Sequence, residues 1–179
     1  MFATELEMSV KFDDFLAKKV KKNNKKIDYT FEVDGIVGIP DCILFEKTDK
    51  NLKVIVTFEL KLKDWKRAFQ QSMKSKLYSN FSFVVISKKG INAAKKNIDY
   101  FKKAGIGLAE FSKSQKMIIH YMPQYDIPIS DLYVSLLYVQ LIKIKKIENS
   151  TKNIKLYKDK QRAKRIVNIL SEFIIKVEE

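Results

Sequence analysis

The sequence predicts an α/β fold in which a mixed central sheet is flanked by helices and followed by a C-terminal helical pair. Three observations predict it. Apolar runs of strand length recur at 27–33, 41–45, 54–61, 81–87, 106–111 and 117–121. Between several of them lie longer stretches, at 4–22, 64–80 and 92–104, whose apolar residues recur at helical spacing. After residue 123 this alternation stops, and two amphipathic stretches follow at 132–146 and 157–177. A chain that switches between the two periods in this way builds a sheet with helices on its faces.

The first helix, 4–22, opens with Thr4 as N-cap and Glu7 at the capping-box position. Met8, Phe12, Phe15 and Leu16 form its apolar stripe. Lys18, Lys19, Lys21 and Lys22 crowd its C-terminal end, where the helix dipole favours them. A polar turn at 23–26 leads into the strand 27–33. There Ile27, Tyr29, Phe31 and Val33 share one face, and Asp28, Thr30 and Glu32 the other. Asp34-Gly35 and Gly38 turn the chain ahead of Pro40, which lacks an N–H and suits the first position of a strand. The next two apolar runs are joined by Thr48, Asp49, Lys50 and Asn51 and read as a hairpin.

Asp64 caps the helix 64–80, in which Trp65, Phe69, Met73 and Leu77 are expected mainly in the core. The remaining surface is basic through Lys63, Lys66, Arg67, Lys74 and Lys76. The strand 81–87 is apolar along its length, as expected of a central strand parallel to 54–61 across a helical crossover. Ser87, Lys88 and Lys89 then line the cleft at its end. In the helix 92–104, Ala93, Ala94, Ile98 and Phe101 turn to the sheet, and Gly105 ends it. The runs 106–111 and 117–121 form a closing hairpin. His120 falls in the second and is given no role.

Pro123 to Pro128 reads as a boundary between a domain at 1–123 and an extension at 124–179. Leu136, Leu137, Val139, Leu141 and Ile144, with Ile166, Ile169, Leu170, Phe173 and Ile174, are more than one short helical pair can hide. They are expected to pack on the core or to form a homodimer. Lys155, Lys158, Lys160, Arg162, Lys164 and Arg165 give the last helix a basic start, which either grips phosphates or merely solvates a face.

The hairpin carries the chemistry. Its strands hold acids that apolar runs should not hold: Asp41 at the start of the first, and Glu59 near the end of the second, followed by Leu60 and Lys61. Alternation puts Thr57, Glu59 and Lys61 on one face, and Asp41 on the face of Ile43 and Phe45. A pairing that sets Asp41 beside Glu59 brings three ionisable groups to one end of the sheet. Two neighbouring buried carboxylates are costly unless a cation compensates them. Lys61 is one such cation and a divalent metal a stronger one. Oxygen-only ligation suits Mg²⁺, with Mn²⁺ as its substitute. Such a metal lowers the pKa of a bound water and stabilises charge on a phosphodiester, while Lys61 orients or helps deprotonate that water. The competing reading is a polar strand end held by a structural acid–lysine pair.

Pro40-Asp41, a loop, then Glu59-Leu60-Lys61 at the end of the next strand resembles the PD-(D/E)xK nuclease superfamily, with all four signature positions filled. The resemblance spans about residues 4 to 121. It implies a restriction-endonuclease-like core and a magnesium-dependent hydrolase, an endonuclease, acting on phosphodiester bonds in DNA, in repair or restriction. Asp41 and Glu59 are its implied metal ligands, and Lys61 positions the water. Many members carry a further Glu on the first helix. Of the two candidates, Glu5 projects from the buried face and is taken as the third ligand, whereas Glu7 is better explained as a cap. The competing role for Glu5 is a first-turn acid suited to the helix dipole. Members often place a Gln on the second helix, sometimes with a Tyr four residues on. Here Gln71 is the candidate contact to substrate or water, but Lys74 and Ser75 stand where that Tyr would be. Tyr78 lies seven residues past Gln71, on the same helical face.

Composition agrees with this reading. A net charge of +14, from 35 Lys and Arg against 21 Asp and Glu, favours a polyanionic partner, nucleic acid before a membrane surface. Charge does not separate DNA from RNA, nor a nuclease from a binding module on the same fold. No segment is long and apolar enough to span a bilayer. The first residues, Met-Phe-Ala-Thr-Glu-Leu-Glu, lack the pattern of a secretory signal. The single Cys42 excludes an internal disulfide and a cysteine zinc site and suits a reducing compartment. One histidine argues against a histidine-based centre. Together these features predict a cytoplasmic protein, and the Lys, Ile and Asn richness points to a prokaryotic or viral genome.

Overall fold

Six strands hydrogen-bond side by side in the order in which the chain makes them. In the computed structural model, which describes residues 1–22, 27–31, 33–48 and 51–144, these are β1 (Ile27–Phe31), β2 (Cys42–Thr48), β3 (Asn51–Lys61), β4 (Phe81–Ser87), β5 (Gly107–Phe111) and β6 (Met117–Tyr121). The first three form an antiparallel meander. β3, β4 and β5 run parallel, and β6 returns antiparallel to β5. The sheet is therefore mixed. Each parallel step is bridged by helix, as the length of such a crossover requires. These are α2 (Trp65–Ser75) between β3 and β4, and α3 (Ile91–Lys95) with α4 (Ile98–Ala104) between β4 and β5.

Both faces of the sheet are covered. α1 (Glu5–Lys22) lays Met8, Phe12, Phe15 and Leu16 on one face, against Val54, Val56, Phe58 and Leu60 of β3 and Phe83 and Val85 of β4. The aromatic rings interlock there: Phe12 meets Phe58 and Phe111 edge-on, with centroids 5.3 and 5.2 Å apart. On the opposite face α4 covers Val84, Ile86 and Leu108 with Phe101. α5 (Asp131–Lys143) covers Ile43, Phe45 and Ile55 with Val134, Leu137, Tyr138 and Leu141. This first helix of the C-terminal extension thus shares a hydrophobic cluster with the sheet. β2 contributes alternate residues to the clusters under α1 and α5, as the pleat requires, whereas β1 contributes only to the first.

Three expectations change in detail. The helix expected at 92–104 is two, broken at Lys96 and Asn97. α2 stops at Ser75, and turns carry the chain on to β4. Its buried face is Ala68, Ser72 and Ser75, whereas Met73 is 45% exposed. Small residues let this helix lie close over the sheet, and Trp65 and Phe69 turn sideways to pack on Phe101. Glu32, the linker 148–153, the basic run beginning at Lys155 and the helix expected at 157–177 lie outside the described residues, as does any homodimer contact made through that helix. Among the described residues no helix is long and apolar enough to cross a membrane.

Candidate active site

The register of the β2–β3 hairpin decides which acids meet. Ile43 pairs with Thr57 and Cys42 with Phe58, so one further step sets Asp41 beside Glu59. Asp41 itself sits in a bend just before β2. Its side chain takes over where the backbone ladder stops: Oδ2 accepts from the Leu60 N–H at 2.6 Å. The preceding turn is fixed against α2. Gly38 has φ 75°, and a Cβ there would stand 2.7 Å from Lys74 Cβ, so both conformation and space call for glycine.

Lys61 ties the acids together. Its Nζ lies 3.6 Å from Asp41 Oδ2 and 3.5 Å from Glu5 Oε2, and it donates to the Leu60 carbonyl at 3.1 Å. The other Glu5 oxygen accepts from the Leu62 N–H at 3.4 Å. The start of α1 is thereby tied to the end of β3. Glu7 plays a different part. Its N–H donates to Thr4 Oγ1, its carboxylate accepts from the Ala3 N–H, and it pairs with Lys113. That is the capping role its position predicts.

Glu59 is the anomaly. It is 1% exposed, and neither carboxylate oxygen has a hydrogen-bond partner within the protein. Burial, and then the negative charge of Asp41, push its pKa from about 4.5 up to about 9, against the opposing pull of Lys61. Taken alone, the protein holds Glu59 protonated at neutral pH. Such a group is an acceptor set that the fold itself leaves unused.

Beneath Glu59, between the sheet and α2, runs a buried polar seam. Thr57 and Ser82 share a hydroxyl hydrogen bond of 2.7 Å, and Ser82 another of 3.1 Å with Ser79. Tyr78 donates to Ser75 at 3.3 Å, and Ser75 to the Gln71 carbonyl at 3.5 Å. Burial and the nearby Glu59 charge push the Tyr78 hydroxyl well above its ordinary range. Gln71 lies on α2 with a buried Oε1 that has no partner. Sequence reading noted Tyr78 only as lying on the face of Gln71 and did not single out Thr57, Ser75, Ser79 or Ser82. The signal was present: Gln71, Ser72, Ser75, Tyr78 and Ser79 recur at helical spacing as a polar stripe on a side that must meet the sheet.

Asp41, Lys61 and Glu5 thus meet, and Glu59 stands within electrostatic reach of the first two. Among the described residues, no group of three or more His, Cys, Asp or Glu side chains is arranged to share one metal ion. Glu5 joins the others through the lysine. In comparison with known proteins, no family model, no curated protein and no solved structure matches this chain.

Proposed function

We propose that this protein is a metal-dependent nuclease with a restriction-endonuclease-like core, hydrolysing phosphodiester bonds in DNA. One observation carries the reading: a buried glutamate with two unused oxygens, beside an aspartate and a lysine at the C-terminal end of a parallel strand. Ligands of open α/β sheets bind beyond the carboxyl ends of the strands.

The donor chemistry fits a hard dication. Mg²⁺, or Mn²⁺ in its place, held by Asp41 and Glu59, supplies a lowered pKa to bound water and stabilises charge on the phosphodiester. Glu59 offers its oxygens without giving up any internal hydrogen bond. Asp41 is held in place by the Leu60 amide. Lys61, steadied by Asp41 and Glu5, presents its ammonium to the attacking water and to the phosphate. Glu5 acts as the partner of Lys61. The buried Gln71 Oε1 accepts a hydrogen bond from water or substrate. The net charge of +14 supplies phosphate affinity that falls steeply with salt.

Incubation with plasmid and Mg²⁺ or Mn²⁺ tests the reading, alongside single-stranded, branched and RNA substrates. Cleavage is expected with metal, is abolished by EDTA, and is lost in Asp41→Ala. Cleavage that survives EDTA or that substitution overturns the assignment. A second reading, a binding module that does not cut, draws on the ion pairs of Lys61. They already compensate Asp41 and Glu5 without a metal. In that case DNA affinity is indifferent to magnesium and no cleavage follows.

A further inference from the structure

Next to the candidate active site the surface opens into a cavity of about 240 Å³. Its walls are Phe2, Phe111, Ser87, Ser112 and Ser114, and Lys88, Lys89 and Lys113 stand around it. It lies beyond the carboxyl ends of β4 and β5, beside the end of β3 where Lys61 stands. The link is short. Ser87 Oγ donates to the Leu62 carbonyl at 2.8 Å, and the Leu62 N–H donates to Glu5.

The chemistry of the walls is specific. Phe2 and Phe111 stack with centroids 5.9 Å apart and, both buried, back the cavity with apolar surface. Three lysines, each carrying an ammonium group, also line it. Glu7 compensates that of Lys113, whereas Lys88 and Lys89 have no carboxylate partner among the described residues. A small cavity lined by lysines suits a compact monoanionic or dianionic group. The volume falls below the roughly 300–1,000 Å³ of sites for drug-sized ligands, so the occupant is a single unit and not a duplex.

We propose that this cavity is a phosphate subsite for the substrate strand, in which Lys88 and Lys89 hold one phosphate. The proposal rests on the nuclease reading and deepens it. It names a strand-gripping contact beside Ser87, whose hydroxyl donates to the Leu62 carbonyl. The phosphate belongs either to the interior of a strand or to its 5′ end, and the same chemistry serves both.

The test measures binding without cleavage. Fluorescence anisotropy is read on the full-length Asp41→Ala protein in EDTA, with short single-stranded DNA carrying either a 5′-phosphate or a 5′-hydroxyl. The Lys88→Ala/Lys89→Ala variant is expected to raise Kd about tenfold at low salt and to lower the salt slope by about 0.7 per lost phosphate contact. Ser114→Trp, which fills the cavity without changing charge, is expected to weaken binding comparably. Lys102→Ala/Lys103→Ala, on α4, is expected to leave Kd near the parent value. Equal losses on both oligonucleotides assign an internal phosphate, and a larger loss on the phosphorylated one assigns a terminal phosphate. Should Ser114→Trp bind like the parent while melting like it, or should the α4 pair cost as much as Lys88 and Lys89, the cavity is not a subsite. Because no cleavage is read, a failure of the nuclease reading appears separately, in the plasmid assay.

Discussion

The β2–β3 hairpin buries a glutamate towards each end, and the two are treated differently. Glu46, 2% exposed, has one oxygen 3.8 Å from Lys53 Nζ. One acid there faces one base, so the charges cancel, and of the two Glu46 oxygens only Oε2 is buried without a hydrogen-bond partner. At the other end Lys61 serves Asp41 and Glu5, and Glu59 is left with neither oxygen bonded. Three acids share one base there, and Glu59, with no cation of its own, stays protonated at neutral pH. The difference separates a structural pair from a site with unspent ligating capacity, and no single residue reveals it.

The largest test of that contrast is catalytic. Lys61→Ala is expected to lower plasmid cleavage by roughly 10²- to 10⁴-fold, the range for a lost acid–base or water-positioning group, whereas Lys53→Ala leaves the rate unchanged. Equal effects would erase the distinction between the two ends. Next comes stability in EDTA. Glu59 keeps its proton in the folded protein up to about pH 9, whereas in the unfolded chain it loses it near 4.5. Stability therefore falls as pH rises through that window. Glu59→Gln, which cannot ionise in either state, is expected to stabilise the protein at pH 8 by on the order of a few kcal/mol. Thermal melts at pH 8 and at pH 4.5 check this, since the gain should vanish at the lower pH.

A smaller effect is expected at Gly90. A Cβ there would stand 2.6 Å from the Leu62 carbonyl oxygen and from Lys63 Cα. Gly90→Ala should cost about 1–3 kcal/mol and reduce cleavage by shifting the segment that follows Lys61. Comparable in size is Glu46→Gln, expected to destabilise by about 1–3 kcal/mol because it leaves Lys53 without its buried partner. Its sign is opposite to that of Glu59→Gln, and comparing the two melts sharpens the contrast most directly.

Much of this arrangement was legible in the sequence. The stripe of Met8, Phe12, Phe15 and Leu16 is buried throughout, because its 3–4 spacing has no other use in a helix. Alternation showed which faces Asp41 and Glu59 share but left the register open, and the ladder, with Cys42 opposite Phe58, takes the one that sets Asp41 beside Glu59. Less legible was α2, where bulk suggested Met73 and the close approach of the helix instead selected Ala68, Ser72 and Ser75. Hydrophobicity ranks residues by transfer energy and says nothing of how near two backbones come. Asn80 was invisible for a similar reason. Its Oδ1 accepts from the Ile55 N–H and its Nδ2 donates to the Asp126 carbonyl, contacts that exist only once distant segments meet. The cavity at Phe2 and Phe111 joins residues 109 positions apart in the chain, and no periodicity reports such a meeting.

The strand order has a consequence for how the molecule comes into being. Every strand lies next to its successor, so each can be laid down on one already made, with loops no longer than a single crossover. Asp41, Glu59 and Lys61 belong to one hairpin and come together when that hairpin zips up. The serines and Tyr78 that later enclose Glu59 are still to be synthesised at that moment. Until those later segments pack on the hairpin, Glu59 lacks the burial that raises its pKa in the folded protein.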